Sequence, residues 1–264
     1  MKVLILCGGI GTRLKEETEF KPKPMVNIGE RPILWHIMKH YAHFGHNQFV
    51  LALGYKGEMI KQYFIHHQLL TSDFTIDLAR DSEVTIHRSE NGIEDWRITL
   101  VDTGLNALKG ARIKRAQRFI EDGNEDDVFL MTYGDGVSTV NLDDLLAYHR
   151  SHGRLATVTG VIPSMRFGEI RATDDGTVDF EEKGMGGAAM VNGGYYVLSR
   201  KVFDYLEDAD SCDFEMGPLE ILAKQGELKM YRHEGFWHCM DNIRDMEALN
   251  GMWYSGTTPW VVWK

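Results

Sequence analysis

Apolar residues in this chain come in short blocks, and the blocks alternate between two periods. Val3-Leu4-Ile5-Leu6 is a compact, partly β-branched run that reads as the first buried strand of a parallel sheet. Pro32 suits the first turn of a helix carrying Ile33, Leu34, Ile37, Met38 and Tyr41 on one apolar face. Gln48 to Leu53 predicts a second buried strand, ending at a turn over Gly54-Tyr55-Lys56-Gly57. Glu58 to His67 then predicts a helix with Ile60, Tyr63 and Phe64 inward. Strand, turn and helix repeated in this way indicate an α/β sheet, whose ligand sits at the carboxyl ends of the strands.

Between residues 72 and 100 the pattern changes. Thr75-Ile76-Asp77-Leu78, Thr85-Ile86-His87 and Trp96 to Val101 alternate polar and apolar, which predicts half-exposed strands with Ser89-Glu90-Asn91-Gly92 as a turn between two of them. Such a stretch suits either an excursion over a ligand site or an oligomer surface. Helical spacing returns at Gly110 to Ile120, at Leu142 to His149, and from Phe214 to Leu222 with an interruption near Gly217-Pro218. Further strands are expected at Val128 to Thr132, Leu155 to Ile162, Met190 to Leu198 and Leu228 to His233, with a hairpin turn at Asp174-Asp175-Gly176.

Composition narrows the possibilities. A chain of 264 residues that is 43% hydrophobic can bury a sizeable core, either as one large α/β domain or as a core with a small appendage. A formal net charge of −10 argues against nucleic-acid and anionic-membrane partners, which draw on a basic surplus. Cys7, Cys212 and Cys239 are odd in number and form no Cys-x-x-Cys pair, so neither a disulfide framework nor zinc is indicated. The apolar run at the start is too short for a signal peptide or a membrane span, and a cytoplasmic protein is expected. The aromatic end, Trp253-Tyr254 and Trp260 to Trp263, is expected to pack on the core or on another subunit.

Candidate chemistry starts directly after the first strand. In Leu6-Cys7-Gly8-Gly9-Ile10-Gly11-Thr12-Arg13-Leu14 the glycines let the backbone turn tightly, and its N–H groups can line a concavity for phosphate oxygens. Arg13 adds a planar, permanent charge suited to phosphate. Lys21-Pro22-Lys23-Pro24-Met25 then places two more cations on a segment that the prolines hold extended. A dinucleotide fingerprint fails because Leu14 stands where its third glycine belongs, and Gly11-Thr12-Arg13 does not match the Gly-Lys-Ser/Thr of a P-loop. Farther on, an apolar strand delivers Asp135 between Gly134 and Gly136, placed to supply a carboxylate to a hard cation. Asn192, in Asn192-Gly193-Gly194, offers donor and acceptor to a ligand hydroxyl, or else forms a hairpin turn. Asp241 ends Trp237-His238-Cys239-Met240-Asp241 as a second carboxylate, or caps the helix over Asn242 to Leu249. His36, His40 and His43 resemble a metal stripe, but no His-Glu-x-x-His motif is present and surface or cleft-edge histidines are expected.

The succession Gly-Gly-x-Gly-Thr-Arg-Leu, then Lys-Pro-Lys-Pro-Met, resembles the sugar-1-phosphate nucleotidyltransferases, and the resemblance runs over essentially the whole chain. It implies a Rossmann-like fold with a central mixed, mostly parallel sheet flanked by helices and a smaller β region for sugar, within one domain. Residues 1–140 would serve the nucleotide and 141–264 the sugar. It further implies CTP and α-D-glucose 1-phosphate as substrates, CDP-glucose and pyrophosphate as products, Mg2+ as cofactor, and a homo-oligomer.

By the same resemblance, Leu6, Cys7, Gly8, Gly9, Gly11, Thr12, Arg13, Thr103, Gly104, Arg112 and Gly134 would bind nucleotide. Arg13 and Lys23 would be catalytic, and Asp135 and Asp241 would hold the metal. Lys23, Glu182, Lys183, Asn192 and Gly193 would bind the sugar phosphate, although Gly184 follows Lys183 where many relatives carry proline. Lys114 and Arg115 are expected to form only a solvated basic face. UTP or dTTP, another sugar phosphate, a nucleotide-sugar-binding regulatory role and an oxidoreductase are the alternatives. Leu14 disfavours the oxidoreductase.

Overall fold

The computed structural model describes residues 1–80, 82–87, 94–123, 125–163, 169–172, 178–181 and 189–263. Its centre is a seven-stranded sheet. In chain order the strands are β1 (Lys2–Cys7), β2 (Gln48–Leu53), β3 (Arg97–Asp102), β4 (Val128–Tyr133), β5 (Ala156–Val161), β6 (Val191–Ser199) and β7 (Leu228–His233). Across the sheet they run β7-β5-β6-β4-β1-β2-β3. Every neighbouring pair is parallel except the two that β6 makes, with β5 and β4. The apolar blocks are dense because this sheet is covered on both faces.

The pleat divides those blocks between two cores. Val3, Ile5, Phe49, Leu51, Leu130, Tyr195 and Val197 point to one side, where they meet helix α1 (Ile33–His43) through Ile33, Leu34, Ile37, Met38 and Tyr41. Two further helices close that side, α4 (Leu142–His152) and α5 (Ile243–Tyr254). Leu4, Leu6, Val50, Ala52, Phe129, Met131, Tyr196 and Leu198 point to the other side, against Ile113, Ala116 and Ile120 of α3 (Lys109–Glu121). A helix α2 (Gly57–Ile65) follows β2 and buries Ile60. The aromatic end packs on this same chain: Trp260 is fully buried, stacks on Phe236 and lies edge-on to His36 of α1.

Two expectations need correction. Trp96 to Val101 belongs to no separate excursion; β3 is the edge strand of the main sheet, and its alternation records exposure of one flank. Asp73–Asp77 and Glu83–His87 pair as an exposed two-stranded hairpin, and the turn expected at Ser89-Glu90-Asn91-Gly92 lies outside the described residues. His36 and His40 are neither surface nor cleft-edge residues. Both are fully buried, with the Nε2 atoms of His36 and His40 bonded to Ile28 O and Val140 O at 3.0 and 2.9 Å. His43 is exposed, as expected.

Burial pushes His36, His40, His46 and His149 down from 6.5 to about 4. Unfolded histidines take up protons near 6.5, so between 6.5 and about 4 the unfolded chain holds more protons than the folded one. Stability is therefore complete above 6.5 and falls as pH drops toward 4, by at most about 1.4 kcal/mol per pH unit for each histidine. Urea unfolding should show a lower midpoint at about pH 5 than at about pH 7.5. An unchanged midpoint would contradict the buried, neutral assignment.

Candidate active site

The open ends of β1 and β4 lead into a cleft of about 520 Å³. Gly11, at φ +70, turns the chain from β1 into a 3-10 turn over Thr12–Leu14, and buried Leu14 anchors it. Gly8 also makes room for the Arg112 guanidinium, from which a Cβ there would stand 2.1 Å.

Arg112 is 5% exposed and donates to Gly8 O, Leu53 O, Thr103 Oγ1, Gly104 O and Leu105 O at 2.8–3.2 Å. It fastens together the ends of β1, β2 and β3. Its two terminal nitrogens, Nη1 and Nη2, are thus committed to the protein. Thr103, whose hydroxyl donates to Leu53 O at 2.6 Å, and Gly104 stand behind the cleft, and Thr12 is exposed outside its lining. Lys114 and Arg115 are no loose basic face. Lys114 donates to Phe203 O, and Arg115 to Asp208, Asp210 and Thr103 O.

Leu6, Cys7, Gly8, Gly9, Gly11, Arg13, Lys23, Arg112, Gly134, Asp135, Asn192, Gly193 and Asp241 all line the cleft. Lys23 does not sit in extended chain. Pro22 is extended, and Lys23 opens a 3-10 turn over Lys23–Met25, which Pro24 tolerates because first-turn N–H groups need no helical partner. Gly134 leaves room for Pro24 and Leu6 O. Gly136–Ser138 pairs with Trp237–Cys239, and Met240 N donates to Asp135 O at 2.8 Å, which carries Asp241 to Asp135.

The cap of α5 is Asn242 rather than Asp241. Asn242 accepts from Asp245 N, and the Asp245 carboxylate accepts from the N–H groups of Asp241 and Asn242. The Asp241 side chain is thereby left to the cleft.

At the centre, the Lys23 ammonium donates to Asp135 Oδ2 and Asp241 Oδ1, both at 2.7 Å, and Arg13 donates to Asp241 Oδ2 at 2.6 Å. Burial disfavours the Lys23 charge, but Asp135 and Asp241 outweigh it and hold the ammonium well above its usual range. Burial likewise opposes the Asp241 charge, yet the hydrogen bond and charge of Lys23, with Arg13 beside it, set its carboxyl below the usual range. Two cations balance two carboxylates. Donor atoms of Asp135, Asp241 and Cys239 all lie within 4.8 Å of one another. An octahedral shell at about 2.1 Å spaces its donors about 3–4 Å apart, so a divalent cation fits between the two aspartates after small side-chain shifts.

Elsewhere in the cleft lining, Asn192 Oδ1 accepts from Gly194 N at 2.9 Å, and its Nδ2 donates to the Tyr196 hydroxyl. Gly193 is needed by the sheet: a Cβ would come 2.6 Å from Val161 on β5. Glu182 and Lys183 lie outside the described residues. Sequence reasoning passed over Cys239 and a network in which Glu215 accepts from Tyr133 OH and Lys109. It also missed Trp237, whose Nε1 donates to Gly193 O at 2.8 Å. Only Cys239 carried a signal, by standing two positions before Asp241.

Fold and cleft define a nucleotidyl-transferring class, and the chain belongs to the nucleotidyl transferase family, which residues 2–248 match. Within it, the chain is 44% identical to the glucose-1-phosphate cytidylyltransferase of Salmonella typhimurium over 264 residues, covering all of both chains. It is 43% identical over 263 residues to the probable glucose-1-phosphate cytidylyltransferase of Bacillus subtilis, again covering all of both. The same fold occurs in the crystal structure of HddC from Yersinia pseudotuberculosis, with a TM-score of 0.67 at 23% identity over 96% of this chain and 99% of that one.

Because the Lys23 ammonium occupies the ground between the carboxylates, it competes with any other cation there. Lys23→Gln should tighten Mn2+ binding to the nucleotide-free protein about tenfold, the scale of one unit charge at close range. Equal or weaker binding in a calorimetric titration would show that the ammonium and the metal use different places.

Proposed function

We propose that this protein transfers the cytidylyl group of CTP to α-D-glucose 1-phosphate, giving CDP-glucose and pyrophosphate. The observation that carries this reading is 44% identity along the full length of a glucose-1-phosphate cytidylyltransferase. The cleft supports the same reaction class, since Arg13 and Lys23 stand over two carboxylates at the end of a glycine-rich strand turn.

A phosphate oxygen of glucose 1-phosphate attacks the α-phosphorus of CTP, a P–O bond forms, and the bond to pyrophosphate breaks with its electron pair leaving on pyrophosphate. The nucleophile is already an anion, so no side chain needs to remove a proton. Arg13, 77% exposed at the rim, takes the triphosphate. Lys23, largely enclosed, bridges the α-phosphate and the sugar phosphate and holds them in line. Asp135 and Asp241 would hold Mg2+, which would offset negative charge on the phosphate oxygens. The loop from Leu6 to Gly11 and Gly134 receives the nucleotide. Arg112, Thr103 and Gly104 brace that loop from behind, while Asn192 and Gly193, with Glu182 and Lys183, serve the sugar.

Residues 1–140 form the nucleotide part and 141–264 the sugar part of one domain. The protein works as a homo-oligomer, for which the exposed Phe74, Ile76 and Val84 of the 73–87 hairpin provide apolar surface. No described helix is long and apolar enough to cross a membrane.

Pyrophosphate release with glucose 1-phosphate, measured across the nucleoside triphosphates, should favour CTP. Preference for UTP or dTTP would reassign the base, and no release with any of them would remove the reading. Arg13→Ala should lower kcat by about 10²–10³, the loss expected of one preorganised charge partner. A change in KM alone would reduce Arg13 to ground-state binding.

A further inference from the structure

Cys239 is placed to reach the same cation as the two aspartates. Its short strand pairs with Gly136–Ser138 and sets Cys239 opposite Gly136, the neighbour of Asp135. Its Sγ and one oxygen each from Asp135 and Asp241 lie within 4.8 Å of one another, and all three residues line the cleft. Lys23, with its ammonium 2.7 Å from both carboxylates, already shows that this ground holds positive charge. Two carboxylate oxygens suit a hard cation. A sulfur beside them is a soft donor, and soft donors select Zn2+, Cd2+ and similar ions. Cys7 is buried within β1, and Cys212 packs beside Gly110 of α3, so neither belongs to this set.

We propose that Cys239 joins Asp135 and Asp241 in a mixed sulfur–oxygen site that takes a thiophilic divalent cation, making Cys239 the residue that sets the metal selectivity of the cleft. The inference rests on the reading of Asp135 and Asp241 as the cation ligands. Coordination breaks the Sγ–H bond, the proton passes to solvent, and the electron pair left on sulfur forms the bond to the metal; nothing is oxidised or reduced. The Lys23 ammonium leaves the carboxylates as the ion arrives. An ion held by three protein donors has fewer positions open to phosphate oxygens than one held by two. Cd2+ and Zn2+ therefore bind tightly and inhibit where Mg2+ supports turnover.

The test is a Cd2+ titration of the full-length, metal-free protein, read by the ultraviolet sulfur-to-cadmium charge-transfer band. The band should saturate at one Cd2+ per chain, persist in Cys212→Ser, vanish in Cys239→Ser and weaken in Asp241→Asn. The ratio of Cd2+ to Mg2+ affinity should fall at least about tenfold in Cys239→Ser. Retained Mg2+ binding in that variant shows that the site is still folded, and Cys239→Ala repeats the measurement if it is not. No band in the wild type, a band surviving Cys239→Ser, or Cd2+ affinity unchanged in Asp241→Asn would overturn the proposal. Pyrophosphate release from CTP and glucose 1-phosphate with Mg2+ is measured separately. Turnover without a Cd2+ band defeats only this inference, whereas a band without turnover defeats only the parent reading.

Discussion

One ammonium group, that of Lys23, is shared between carboxylates 112 and 218 residues away in the chain, and the rest of the cleft is arranged around that sharing. Arg13 completes it by reaching Asp241 across 228 residues. Half-buried ion pairs of this kind contribute little net stability, because removing the charges from water costs about as much as their attraction returns. Their value lies in exchange. Two cations and two carboxylates already in balance can trade partners with a polyanion and its counter-cation without leaving any charge exposed to an apolar wall.

The fold brings these groups together through its strand ends. β1 and β4 are neighbours in register, so the Gly8–Gly11 loop and Asp135 leave the sheet side by side. The pairing of Gly136–Ser138 with Trp237–Cys239 then returns the chain to deliver Asp241. Behind them Arg112 holds three strand ends through backbone carbonyls and the Thr103 hydroxyl, making the loop's position a property of the sheet. A guanidinium offers its donors in a fixed plane, so one residue can bond several strand ends, and a Cβ at Gly8 or Gly54 would meet it at 2.1 or 2.4 Å.

Much of the sheet was legible because its strands are buried on both faces and so appear as unbroken apolar blocks; β1, β2, β4 and β6 are of this kind. β3 was grouped with the exposed hairpin, since an edge strand keeps the alternation of a half-solvated one. The histidines of α1 were assigned to the surface or cleft edge for want of a metal motif, although each buried one satisfies a ring nitrogen on a carbonyl outside its own helix, which helical spacing does not reveal. Arg13, Lys23, Asp135 and Asp241 stood out through motif spacing. Their pairing did not, because it depends on loops meeting across more than a hundred residues. Gly8 and Gly193 line the cleft, and each also makes room for a neighbour, Arg112 and Val161, in contacts made only by the completed sheet. Asp241 was one expected cap for the last helix, but Asn242 takes that place, and Asp245 completes the capping box from within the first turn.

The account turns on the place that Lys23 and a divalent cation hold in succession. Crystals grown with Mn2+ and CTP, examined by anomalous scattering, locate the ion directly. A peak between the carboxylates of Asp135 and Asp241, with the Lys23 ammonium moved onto a phosphate oxygen, is the expected result. A peak elsewhere, or Lys23 still bound to both carboxylates beside a bound nucleotide, would contradict it.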